Sequence, residues 1–165
     1  TPALEDMKKF NENVTFTAGN VGTLDALNRG EIAMGPVWVD MFYTFMQEGK
    51  LDPNTKLSLI GPGMPGQPMY FVVPANSAHP DAAKQFVEYV TSPQIQGEVV
   101  IDRYNWYPGI DGSFVADSAP PEAFDRLFQD ISPETLGERG KSFPLADYFT
   151  AMLEAYERVV IGGGS

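Results

Sequence analysis

The sequence predicts an α/β fold, because short apolar runs typical of strands alternate with segments of helical periodicity. The clearest helical pattern comprises Ala83, Phe86, Val87 and Val90, which fall at i, i+3, i+4 and i+7. The strand-like runs are residues 14–17, 31–34, 56–60 and 69–73. Strands and helices in alternation pack as layers, so we expect a layered α/β architecture.

Three helices are predicted in the first fifty residues. The chain begins with Thr-Pro, which is typical of an N-cap followed by the first helical residue. Residues 23–28 form a second short helix, with Gly30 as its left-handed C-terminal residue. Residues 38–47 are rich in Met and Phe almost all round, which predicts a buried helix.

The second part of the chain is predicted to be mainly helical. Pro80 opens the helix with the periodic pattern described above, and Ser92 with Pro93 begins another that runs to about residue 102. Residues 104–121 are rich in Gly, Pro, Asp and Ser and are expected to be a loop. A short helix over 121–129 and a last one from Pro144 with an apolar stripe complete the pattern.

Composition excludes several classes of protein. The chain has 165 residues, 43% of them hydrophobic and 20% charged, as in an ordinary globular protein. The formal net charge of −11 argues against nucleic acid or an anionic membrane as partner, because both attract clustered Lys and Arg. Cysteine is absent, so disulfides, thiolate nucleophiles and cysteine metal sites are excluded.

A series of segments in fixed order carries a family resemblance. They are Leu-Asn-Arg-Gly-Glu-Ile-Ala-Met (27–34), Gly-Pro-Val-Trp (35–38), Pro-Met-Tyr-Phe-Val-Val-Pro-Ala-Asn (68–76), Thr-Ser-Pro-Gln-Ile-Gln (91–96) and Asn-Trp-Tyr-Pro-Gly (105–109). In this order and spacing they resemble the C-terminal half of an extracellular solute-binding protein of a bacterial ABC importer. Residues 35–38 are similar to the sugar-binding branch, and residues 48–51 and 73–76 to polyamine-type and thiamine-type branches.

The resemblance implies a two-lobe architecture of the type II periplasmic-binding-protein kind, of which the chain covers most of the second lobe and part of the first. Residues 1–62 would be the first part of the second lobe, 68–108 a first-lobe segment and 113–161 the return to the second lobe. We therefore expect residues 68–108 to leave an apolar surface exposed unless another chain or segment covers it. The Gly/Pro-rich connector 61–66 and the loop 108–113 would be hinge crossings, although plain surface loops fit them equally.

Trp38 and Asp40 are the first candidate ligand contacts. Trp38 follows a predicted strand and a Gly-Pro break at a helix start, where α/β folds bind their ligands. Its indole offers a flat face to a sugar ring or a cation–π surface to an amine. Asp40 could pair with an ammonium group or accept from a hydroxyl. The alternative role of Trp38 is packing in the core. The alternative role of Asp40 is to complement the positive end of a helix dipole.

Four further aromatic residues are candidates. Trp106 and Tyr107 stand in the loop near the second predicted crossing, without a periodicity that would assign them to a core. Tyr70 lies on a predicted strand after the first crossing. Tyr148 lies near the start of the last helix, where the resemblance implies an aromatic that stacks on ligand, more commonly Trp. A core role is the alternative for Tyr70 and Tyr148.

An enzyme is the main alternative from another class. A pair of carboxylates such as Asp40 and Asp111 could act as acid and base in a glycoside hydrolase, but no motif orders the 22 carboxylates. His79 is the only histidine, and we interpret it as a surface residue that binds no metal. No catalytic residue, metal or cofactor is therefore predicted. The third alternative is an interaction module without a ligand.

The resemblance also implies partners and a location. It implies a small organic solute, the subunits of an ABC permease and a missing N-terminal half of the same protein as partners, with no nucleic acid. An amine-bearing solute such as an amino acid or polyamine is favoured over a sugar, because aromatic residues lie beside Asp40 and Asp111 and the chain is acidic. The location would be the periplasm, or the extracellular side of a membrane to which a lipid anchors the parent protein. Residues 162–165 are interpreted as an engineered linker.

Overall fold

The computed structural model describes residues 2–66 and 70–162. Of these residues 54% are helical and 3% are in strands. The prediction of four strands is wrong over the described residues, because 14–17, 31–34, 56–60 and 70–73 form no ladder, while Met69 lies outside them. A strand exists only where a second segment pairs with it, and no described segment supplies such a partner. The layered α/β expectation is thus corrected to a mostly helical chain.

The helices account for most of the predicted periodicity. Their bounds are α1 Pro2–Asn11, α2 Gly19–Asn28, α3 Val39–Gln47, α4 Pro80–Val90, α5 Pro93–Ile95, α6 Asp102–Tyr104, α7 Pro121–Phe128, α8 Pro133–Arg139 and α9 Ala146–Tyr156. A π-helical segment, Gln96–Ile101, joins α5 to α6, and another, Glu157–Ile161, continues α9. Gly112–Phe114 form a 3₁₀ turn. Strands β1 Met64–Pro65 and β2 Gly140–Lys141 pair in parallel.

Local sequence explains the helix ends. Proline occupies the first turn of α4, α5, α7 and α8, where its missing N–H costs nothing. Ser92 and Ser132 cap α5 and α8, because each hydroxyl accepts from the backbone N–H three residues on. Gly30, at φ 69°, ends α2 in the left-handed conformation, as predicted. Gly49, at φ 66°, does the same for α3.

The main core forms where α2, α3, the first π-helical segment and α7 meet. Its largest fully buried side chains are those of Leu24, Phe42, Tyr43, Ile101, Val115 and Leu127. The π-helical segment approaches the turn before α7 so closely that a Cβ on Gly97 would lie 2.6 Å from the backbone of Ser118 and Ala119. Gly97 therefore permits this packing, and the predicted burial of the helix over 38–47 is confirmed for Phe42, Tyr43 and Phe45.

The chain ends form a second packed region. Helix α1 packs against the π-helical segment after α9, and the Asn11 side-chain amide donates to the Tyr156 hydroxyl at 2.9 Å. Many apolar side chains in this region remain exposed, among them Phe10, Leu145 and Leu153. This region thus buries less of its apolar surface than the main core does.

Residues 68–108 were expected to leave an apolar surface exposed, and this is correct for one part of them. Helix α4 has no buried residue, and Tyr70, Phe71 and Val72 are also exposed. The expectation is wrong for the later part, because the π-helical segment Gln96–Ile101 supplies Ile101 to the main core. The described residues 70–108 therefore comprise an uncovered part and a packed part.

Candidate functional site

Trp38 presents its side chain from a firmly held backbone. It is the residue before α3, in an extended conformation, and its N–H donates to Oδ1 of Asn20 at 3.1 Å. Its neighbours Val37 and Val39 pack against the main core, whereas Trp38 itself is 46% exposed. The core thus anchors the chain on both sides of an indole that faces away from it.

Asp40 lies in the first turn of α3 and is half-buried. A carboxylate at this position complements the positive end of the helix dipole. The N-cap residue Trp38 provides no side-chain hydrogen bond to the free N–H groups of this turn. Asp40 can therefore serve the helix, an incoming cation or both.

Trp106 and Tyr107 follow a left-handed residue and point to different surroundings. Asn105 has φ 52°, and the N–H of Trp106 donates to the carbonyl of Val100 at 3.1 Å. Trp106 is 39% exposed, with its ring 5.8 Å from that of Tyr104. Tyr107 instead packs against the main core, its ring 5.4 Å from that of Phe128. One of the two aromatics is thus available at the surface and the other is largely enclosed.

The hydroxyl of Tyr107 is buried and has no hydrogen-bond partner among the described residues. Burial raises the pKa of this phenol well above its usual range, and the nearby Tyr43 and Asp130 add to the effect. Burial likewise raises the pKa of Tyr43 to about 12, but its hydroxyl donates to the carbonyl of Leu127 at 3.2 Å. Both phenols therefore stay neutral at physiological pH.

Tyr70 and Tyr148 are exposed, at 81% and 67%. Tyr70 lies in the extended segment before α4, and Tyr148 lies in the first turn of α9. No hydrogen bond, ion pair or aromatic contact joins any two of the six predicted residues over the ranges 2–66 and 70–162. Four of the six predicted residues, Trp38, Trp106, Tyr70 and Tyr148, are thus exposed aromatics that make no such contact with one another.

Two buried polar residues that sequence reasoning missed hold this region together. The side chain of Asn105 donates to Gln47 at 3.0 Å and accepts from Arg126 at 3.1 Å, so it joins α3 to α7. Asp130, with its side chain 8% exposed, accepts from the N–H of Leu57 at 3.0 Å. Asparagine directly after a helix is a common left-handed cap, and that pattern could have identified Asn105.

A groove lies between the loop 108–113 and helix α8. It consists of two adjoining cavities of about 170 and 560 Å³, which share Asp111, Gly112, Pro133 and Gly137. Asp111, which lines both cavities, is the carboxylate that the sequence analysis paired with Asp40 in the enzyme alternative. None of the six predicted ligand contacts is among the described residues that line it.

Asp111 is exposed, and its Oδ1 atom accepts from both the N–H and the hydroxyl of Ser113, at 2.8 and 2.7 Å. These hydrogen bonds lower the pKa of the carboxyl. Gly112 is buried beside Pro133, and an added Cβ would lie 3.0 Å from the proline ring. The loop is thereby held against α8.

Within the described ranges, no group of three or more His, Asp or Glu residues is arranged to hold a metal ion. His79 is exposed before α4, as predicted. None of the helices described has the length and apolar character that crossing a membrane requires.

Comparison with known protein families gives one match that covers almost the whole chain. The model described as bacterial extracellular solute-binding protein matches residues 1–154. Comparisons with curated proteins and with solved structures found no match. Members of this family capture a solute for an ABC transporter outside the cytoplasm and are generally not enzymes. The chain therefore belongs to the family of bacterial extracellular solute-binding proteins.

Proposed function

We propose that the protein is the receptor of an ABC importer that captures a small amine-bearing solute, such as an amino acid or polyamine, in a cleft between two lobes. Closure of the cleft then presents the loaded form to the permease subunits. Trp38, Asp40, Tyr70, Trp106, Tyr107 and Tyr148 line the cleft in this proposal. The protein acts in the periplasm, or outside the cell with a lipid that anchors the parent protein to the membrane.

The observation that carries the proposal is the exposed indole of Trp38 on an anchored backbone, two residues before Asp40. An apolar side chain of this size gains stability when covered, so its exposure beside a core calls for a partner. An ammonium group could contact the indole face and the carboxylate together. A cation–π contact contributes about 0.5–2 kcal/mol, depending on how far it is desolvated. A neutral sugar would use the ring alone.

The lobe assignment remains 1–62 and 113–161 for the second lobe and 68–108 for a segment of the first. The exposed apolar surface of residues 70–73 and α4 supports it, because a missing N-terminal half of the same protein would cover this surface. Such a half would also supply strand partners for 56–60 and 70–73. The burial of Gln96, Gly97 and Ile101, the last of them in the main core, argues that the lobe boundary lies within 68–108 rather than at its ends.

Intrinsic fluorescence of the two tryptophans tests this function. The intact protein is titrated with putrescine, arginine and maltose, and the same titrations are repeated with Trp38→Ala and Asp40→Asn. We expect an amine to bind, Asp40→Asn to weaken it roughly tenfold because a charge-assisted contact is lost, and Trp38→Ala to weaken it as well.

Asp81→Asn is the matched control, because Asp81 holds the same first-turn position on α4. It should leave amine affinity unchanged. Binding of maltose that is insensitive to Asp40→Asn would favour the sugar-binding alternative. Equal affinity of the wild type, Trp38→Ala and Asp40→Asn for a bound solute would refute the proposed site.

A further inference from the structure

The groove between the loop 108–113 and α8 has an apolar floor and an acidic rim. We propose that this groove is a second binding site, which takes a small organic cation with an apolar body independently of the Trp38 region. The proposal uses residues outside the six assigned to the inter-lobe cleft and does not rest on the function proposed above.

The floor of the groove spans both of its cavities. Phe128 lines the smaller cavity and Phe124 the larger, and their ring centroids lie 4.6 Å apart. Ile110 and Leu136 extend the apolar surface at the smaller end. A flat or aliphatic group of a few carbon atoms can therefore cover a continuous hydrophobic strip.

The rim selects for positive charge. Asp111 borders both cavities and Glu134 the larger, and among the described residues that line the groove none is basic. One oxygen of Asp111 is occupied by Ser113, which leaves its other oxygen to accept from a ligand. The hydrogen bonds from Ser113 also keep the carboxylate charged, because they lower its pKa. A cation in the groove can therefore pair with a carboxylate of fixed orientation while its apolar body contacts the floor.

Gly137 supports the groove as an open space. It lies inside α8, where glycine costs about 1 kcal/mol relative to alanine. It does not have a positive φ, and an added Cβ would meet no atom within 4 Å. Neither the backbone nor a close approach requires glycine here, and the space beside Gly137 is part of the open groove.

Two probes test whether the groove prefers a positive charge: phenethylammonium and the neutral phenethyl alcohol. Their binding to the full chain is measured by saturation-transfer NMR and calorimetry. The amine should bind saturably at millimolar concentration and the alcohol roughly tenfold more weakly, because only the amine gains a charge-assisted contact. Asp111→Asn should weaken amine binding by a similar factor and keep the cap of the following turn. Asp117→Asn, an exposed carboxylate outside the groove, should have no effect.

A substitution at Gly137 tests the location. Gly137→Leu should abolish amine binding by filling the groove, whereas Gly137→Ala should retain it, with circular dichroism confirming that both variants fold. The double variant Trp38→Ala/Trp106→Ala should bind the amine like the wild type, which separates this site from the cleft. The proposal is overturned by absence of amine binding, by equal affinity for the alcohol, or by wild-type affinity in Asp111→Asn or Gly137→Leu. Loss of binding in the tryptophan double variant would assign the amine to the cleft instead.

Discussion

Asn105 combines an unusual backbone conformation with buried hydrogen bonds, and its substitution separates the two contributions. The residue is 5% exposed and has φ 52°, a region in which side chains other than Asn, Asp and Gly are strained. Its amide group donates to Gln47, and its oxygen accepts from the guanidinium group of Arg126. Both partners lie on helices that frame the main core.

The expected loss follows from these contacts. A neutral hydrogen bond contributes about 1 kcal/mol and one to a charged group about 1.5–3 kcal/mol, so Asn105→Gly should lower the free energy of unfolding by about 2–4 kcal/mol. Asn105→Ala removes the same contacts and adds the strain of a Cβ in the left-handed region, about 1 kcal/mol more. Asn105→Asp keeps the acceptor for Arg126 and should be the mildest of the three.

Urea unfolding followed by circular dichroism measures these differences, with equal m-values as the check that one transition is compared. The order of stability should be wild type, Asp, Gly and then Ala. If the Ala variant were as stable as the Gly variant, the left-handed conformation would contribute nothing. If Gly lost less than about 0.5 kcal/mol, the contacts to Gln47 and Arg126 would not be structural.

Two further predictions concern packing and buried phenols, and both are measured by the same unfolding experiment. Gly97→Ala should lower the free energy of unfolding by about 1–3 kcal/mol, because its Cβ would meet backbone atoms. Gly137→Ala, with open space around it, should raise the free energy of unfolding by up to about 1 kcal/mol. Equal effects of the two substitutions would contradict the close approach at Gly97. Tyr107→Phe should be neutral or stabilising, because its hydroxyl has no partner among the described residues, whereas Tyr43→Phe should cost about 1 kcal/mol. The folded-state pKa of Tyr43 is raised to about 12, so the neutral phenol contributes fully to the free energy of unfolding below about pH 10. This contribution is lost as the pH rises towards 12, and Tyr43→Phe should reduce that loss of stability.

The helices were predictable because their determinants are local. Apolar spacing, proline in the first turn and glycine after the last turn correctly located α3, α4 and the end of α2, and the left-handed Gly30 was correct as well. The start of α2 was placed four residues too late, at residue 23 instead of Gly19. Helix α8 was missed, since Pro133–Arg139 is short and carries only one large apolar side chain, that of Leu136. The start Ser132-Pro133 is the same kind of pair that identified the helix after Ser92.

The strands were not predictable in the same way, because β structure depends on a partner segment that propensity does not reveal. Residues 56–60 show this: they are fixed in the described structure by the carboxylate of Asp130 on the N–H of Leu57, not by a ladder. The groove was missed for a related reason. Its walls are 20 or more residues apart in sequence, and only the folded chain brings Asp111 beside Gly137.

The exposed aromatics differ in how firmly their backbones are held, and this difference bears on which of them bind a solute. Asn20 and the flanking valines hold the backbone at Trp38, so little conformational entropy is lost when a ligand covers its ring. Residues 70–73 form no backbone hydrogen bond with any other described residue, although Phe71 meets the ring of Phe86 edge-on at 6.1 Å. Backbone without a ladder partner that carries three consecutive exposed apolar side chains, Tyr70, Phe71 and Val72, is what an added strand would cover. We therefore expect Trp38 to contribute to solute affinity and residues 70–73 to contribute chiefly to contact with the rest of the protein.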